Sequence, residues 1–181
     1  MPLKEAKYRE KILLYLAKNL NKNLTVNKIA TDLKLFYSLV HKTIKDLEKQ
    51  EILTIEKIGN YNLLKLDLNE HRTVLELALL SHKLKEQQEK EGKISNQTDR
   101  FIKKVSKEVI SVILADKVYV VAINLSTNLE IASNTADFEV SLIQYGDFEE
   151  KLSDNEFSNN LLNGIILHGY ENFWRMIAES R

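Results

Sequence analysis

Between Phe36 and Leu53 the chain reads FYSLVHKTIKDLEKQEIL, and Val40, Ile44 and Leu47 recur there at the spacing of one helix face. With those three turned inward, His41, Lys42 and Lys45 point elsewhere. Ammonium groups placed in this way contact phosphate oxygens or guanine edges. Tyr37 and Ser38 stand near the helix start, where hydroxyls and free N–H groups suit a backbone phosphate. Further along, Lys57, Asn60 and Tyr61 surround Gly59 at a candidate hairpin tip. The candidate DNA-binding set is therefore Tyr37, Ser38, His41, Lys42, Lys45, Lys57, Asn60 and Tyr61. The helix carries no arginine, and Asp46 and Glu48 dilute its charge. A solvated face, or an adaptor binding protein, is the competing reading.

Other chemistry finds little support. His41, His71, His82 and His168 show no metal-ligand spacing, and the absence of cysteine removes thiolate sites and disulfides. No glycine loop or nucleophile elbow frames a serine or aspartate. His168, between Leu167 and Gly169, reads as a packed turn histidine, and Trp174 with Phe173 and Ile177 as core. No catalytic residue, metal site or cofactor is expected.

The elements that must position the candidate set come next. A first helix over about Lys4–Asn19 carries an apolar stripe from Tyr8 to Leu20. Thr25 is placed to cap a short helix, VNKIATDL, and Ser38 to cap the third, which runs to about Gln50. Leu53 and Ile55, then Leu64, Leu66 and Leu68, alternate as two strands around Gly59-Asn60. The order helix, short helix, helix, hairpin resembles the winged helix-turn-helix family, and IATDLKLFYSLVHKTIKDLEKQEIL resembles its core pattern. The resemblance implies that the third helix enters a major groove while the wing touches backbone or minor groove. That family often has a glycine after the third helix; Gln50-Glu51 stands there instead.

Beyond the hairpin, Asn69–Glu91 is helical in pattern. Its broad apolar surface over Val74–Leu84 implies either packing between domains or dimerisation. Gly92–Gln97 reads as a linker and Thr98 as the cap of another helix. Val109–Ala115, Val118–Asn124 and Phe138–Tyr145 read as strands, and three helical patterns follow: DFEEKL, NEFSNNLL and, after GIILHG, YENFWRMIAE. The segment Asp137–Ile177 resembles the closing part of small prokaryotic nucleotidyltransferase-like domains, through Gly164, Ile165, Ile166, Leu167, Gly169, Glu171 and Phe173. Active members need a Gly-Ser motif and a paired D-x-D for magnesium. No Gly-Ser occurs here, Asp116-Lys117-Val118 replaces the pair, and Asp137 or Glu139 could supply only a third acid. The resemblance thus implies a retired enzyme fold.

Charge divides the chain as the patterns do. The net is zero over 181 residues, yet residues 1–66 carry +6, residues 67–117 +1 and residues 118–181 −7. A basic head attracts a polyanion that an acidic tail repels. Val74–Leu80 is interrupted by Glu76, so no membrane helix or membrane partner is expected, and no signal peptide is visible. The expected fold class is α+β: a winged helix-turn-helix over 1–68, a linking or dimerisation helix and linker over 69–97, and an acidic α/β domain over 98–181. The expected protein is a cytoplasmic regulator of transcription that binds double-stranded DNA as a homodimer. Its C-terminal domain would take a protein partner or effector. A nucleotidyltransferase-like protein of toxin–antitoxin type, or a winged-helix adaptor, is the alternative.

Overall fold

The computed structural model describes residues 3–181, the side chains of 3–5 excepted. The chain divides into two compact units, Met1–Leu77 and Ala78–Arg181.

In the first unit, helices α1 (Leu3–Lys18), α2 (Val26–Leu33) and α3 (Tyr37–Lys49) precede strands β1 (Leu53–Ile58) and β2 (Tyr61–Leu66). Helix α4 (His71–Lys90) begins in this unit. Ile12 and Leu13 of α1, Ile29 of α2, and Val40 and Leu47 of α3 are completely buried. Each such side chain stabilises the core by roughly 1.5–3 kcal/mol. Thr25 caps α2 by accepting from the Lys28 amide at 3.2 Å. Strands β1 and β2 pair antiparallel from Leu53↔Leu66 to Ile58↔Tyr61 around Gly59-Asn60, and Gly59 takes φ 58°. Leu24 joins this hairpin through its carbonyl, which accepts from the Leu64 amide at 2.9 Å. This is the architecture of a winged helix-turn-helix.

One boundary differs from expectation. The N-cap of α3 is Phe36, not Ser38, because the Phe36 carbonyl accepts from both Leu39 and Val40 amides at 3.1 Å. Ser38 consequently lies inside the first turn, and no side chain caps α3.

The second unit holds α5 (Asn96–Val105), β3 (Ser111–Leu114), β4 (Val118–Ala122), α6 (Thr127–Asn134), β5 (Val140–Gln144), α7 (Tyr145–Leu152), α8 (Asn155–Asn163), β6 (Ile165–His168) and α9 (Tyr170–Glu179). Its sheet has the order β5-β4-β3-β6. Strand β3 is antiparallel to both β4 and β6, while β4 and β5 run parallel with α6 between them in sequence. On one face Val112, Val118, Val120, Ala122 and Leu167 pack with Phe101, Ile102 and Val105 of α5 and Leu129 and Ala132 of α6. Alternate strand residues point the other way. There Tyr119 meets the edge of Phe157 on α8, 5.5 Å between centroids. Trp174 is buried and donates to Ser81 Oγ at 3.0 Å, while Phe173 and Ile177 are buried beside it in α9.

Three local features depart from expectation. Ser95, not Thr98, caps α5: its hydroxyl accepts from the Thr98 amide at 3.1 Å, and Thr98 is buried inside the helix. Helix α6 and strand β6 lie outside the expected elements, being a short mixed segment and a four-residue run, IILH, between glycines. Gly169 makes β6 possible, since it holds φ 69° and a Cβ there would stand 2.0 Å from the Ile110 carbonyl oxygen.

Candidate nucleic-acid interface

Burying Val40, Thr43, Ile44 and Leu47 fixes which side of α3 remains outside. Tyr37, Ser38, His41, Lys42 and Lys45 are all exposed. Thr43 is held down as well, its hydroxyl donating to the Leu39 carbonyl at 2.9 Å. Tyr37 and His41, one turn apart, stack at 5.8 Å with a 20° interplanar angle. Lys45 pairs with Glu48 at 2.8 Å, an exposed i,i+3 contact of small energy that a phosphate can displace. No side chain caps α3, so the positive end of its dipole is left without a side-chain acceptor.

At the hairpin tip Lys57, Asn60 and Tyr61 are exposed, and Tyr61 is 68% accessible. Lys57 forms no ion pair among the described residues, whereas Lys65 nearby is paired with Glu56. Two apolar residues that sequence reasoning misses join this surface. Phe36 at the α3 N-cap is 83% exposed, and Ile58 before the turn is 50% exposed. The available signal is an aromatic residue immediately outside the helical stripe, which has no core position to fill.

The frame behind this surface is firmly tied. Gln50 Oε1 accepts from Arg9 at 3.1 Å and from Arg72 at 3.2 Å, and Arg9 pairs with Glu76 at 2.6 Å. The end of α3 is thereby bound to α1 and to the start of α4. Glu51 completes the turn after α3 with φ 60°, the left-handed conformation in which a glycine is least strained. Between α1 and α2, the Tyr15 hydroxyl donates to Asp32. Burial, then the Asp32 hydrogen bond and charge, push Tyr15 up to about 12. Hydrogen bonds from Tyr15 and Lys28 hold Asp32 below the usual carboxylate range.

The acids singled out in the second unit serve other bonds. Asp116 accepts from the Tyr119 hydroxyl at 3.0 Å, Glu139 from Lys117 at 2.8 Å, and Asp137 from the Gln97 amide at 2.8 Å. Among the described residues no three His, Asp or Glu side chains are grouped to hold a metal ion. No described helix is long and apolar enough to cross a membrane.

No protein-family model and no curated protein matches the chain. Among solved structures it is similar to MepR, a transcription regulator of the Staphylococcus aureus multidrug efflux pump MepA. That likeness has 18% identity, covers 52% of this chain and 70% of that one, and has a TM-score of 0.41. An apo variant of ZitR from Lactococcus lactis is similar at 26% identity, covering 56% of this chain and 77% of that one, with a TM-score of 0.39. At these scores the reading of function rests on the residues themselves.

Proposed function

We propose that the protein is a DNA-binding regulator of transcription in which α3 and the hairpin contact duplex DNA. The observation that carries this is the uncapped start of α3, bordered by exposed Tyr37, Ser38, His41, Lys42 and Lys45. Phosphates fit the start of α3, Ser38 and the lysines, while Lys57, Asn60 and Tyr61 supply a second contact from the wing. His41, stacked on Tyr37, presents an imidazole edge to the same side. With no arginine on α3, guanine readout by this helix is weakened, and affinity comes chiefly from the DNA backbone.

In this reading residues 1–68 bind DNA, 69–97 link, and 98–181 form a non-catalytic domain. Within Asp137–Ile177, the segment that resembles nucleotidyltransferase-like domains, Gly164 and Gly169 flank β6, and Gly169 starts α9. Helix α4 exposes Leu75 (43%) and Leu79 (56%), apolar surface that suits pairing of two copies on a two-fold operator.

The test is fluorescence anisotropy on duplex DNA across a salt series. Joint Lys42→Ala and Lys45→Ala substitution should weaken binding about tenfold or more and flatten the salt slope by about 2, one for each phosphate left unneutralised. Circular dichroism should be unchanged, since both side chains are exposed. An unaltered affinity in a folded variant removes α3 as the reader and leaves the adaptor.

A further inference from the structure

The second unit carries its own cationic stripe, which the acidic balance of the C-terminal region conceals. Arg100, Lys103 and Lys104 lie on α5 and Lys107 in the turn just after it, at spacings of three, four and seven residues. All four are exposed, and none forms an ion pair among the described residues. The opposite side of α5 is fully used: Phe101, Ile102 and Val105 are in the core with the sheet and α6.

No acid near this stripe closes an ion pair with it among the described residues. Asp99 stands four residues before Lys103 and forms no ion pair with it. Glu108 stands four residues after Lys104, and instead accepts from the Ser126 hydroxyl at 2.5 Å. Asp137, beside α5, accepts from Gln97 at 2.8 Å. This contrasts with α4 and α9, where Lys85–Glu89 and Arg175–Glu171 are closed i,i+4 pairs at 2.8 and 2.6 Å.

We infer that the α5 stripe is a second nucleic-acid backbone contact, binding the phosphates of duplex DNA without reading sequence. Arg100 to Lys104 spans about 6 Å of helix axis, and the whole stripe about 10 Å. Phosphates along one DNA strand recur every ~3.4 Å of axis, so the stripe covers about three of them. An anionic membrane is the poorer partner, because the apolar side that would insert is buried in the unit's core. The inference rests on the duplex binding proposed above.

The test uses the full chain and a mixed-sequence duplex, with anisotropy read over a salt series. Joint Arg100→Gln, Lys103→Gln, Lys104→Gln and Lys107→Gln substitution should flatten the slope by about 2 or more, at about 0.9 for each phosphate no longer neutralised, and weaken binding roughly tenfold. Reversal through Lys103→Glu and Lys107→Glu, the same change of four charges, should weaken it comparably, with an unchanged circular dichroism melt. If affinity and slope stay at the original values while the Lys42/Lys45 variant still weakens binding, the stripe inference falls and the α3 reading stands. If the unsubstituted chain fails to bind duplex, both fall.

Discussion

Phe36 and Glu51, at the two ends of α3, illustrate how single residues divide between binding and folding. Phe36 is 83% exposed and has no core to support, so Phe36→Ala should change stability by no more than about 0.5 kcal/mol. Its ring can meet a thymine methyl or a sugar, and the same variant should bind duplex several-fold more weakly in anisotropy measurements. Glu51 behaves oppositely. A left-handed residue with a side chain is strained by about 1–2 kcal/mol, and glycine returns about half of that in chain entropy. Glu51→Gly should therefore raise the unfolding midpoint by a few degrees while leaving DNA affinity unchanged. A lowered midpoint in calorimetry would show that the turn is not under strain.

Among the elements, the helices whose stripes are long are readable from apolar spacing alone, as are the hairpin and the three β-branched strands. The stripe Val40, Ile44, Leu47 identifies the outer face of α3 because burying one side leaves only the other. Ser38 and Thr98 mislead as caps for one physical reason. A hydroxyl near a helix start reads alike at the cap and one turn in, and only the carbonyl that accepts the first helical bond separates the two. Strand β6 escapes because four residues are too few to show a period. Its dependence on Gly169 is testable: Gly169→Ala places a Cβ against the Ile110 carbonyl and should cost at least about 3 kcal/mol, seen as a shifted denaturant midpoint. Helices α1 and α2 are joined by Tyr15 and Asp32, and here pH enters. A tyrosine raised from 10 to about 12 favours the folded state fully below pH 10, and that contribution is lost as pH climbs toward 12. Tyr15→Phe should flatten the alkaline fall in melting temperature as pH rises from 10 toward 12, and an unchanged fall would place the cause elsewhere.

For the whole molecule, the net charge of zero hides a basic first unit, an acidic C-terminal region, and one uncompensated cationic helix inside the second unit. Summing the sequence by segments exposes the first two. The third needs coordinates, because Glu108 looks like a partner of Lys104 until its hydrogen bond from Ser126 is seen. Exposed Leu79 on α4 bears on assembly: Leu79→Glu should shift a two-copy species to one copy in sedimentation velocity, at unchanged helix content. Whether the outer face of α3 and the hairpin tip meet DNA is decided by amide shift mapping during a duplex titration at low salt. The largest shifts should fall within Phe36–Lys49 and Lys57–Tyr61. Shifts that avoid both segments while binding saturates would rule this mode of binding out.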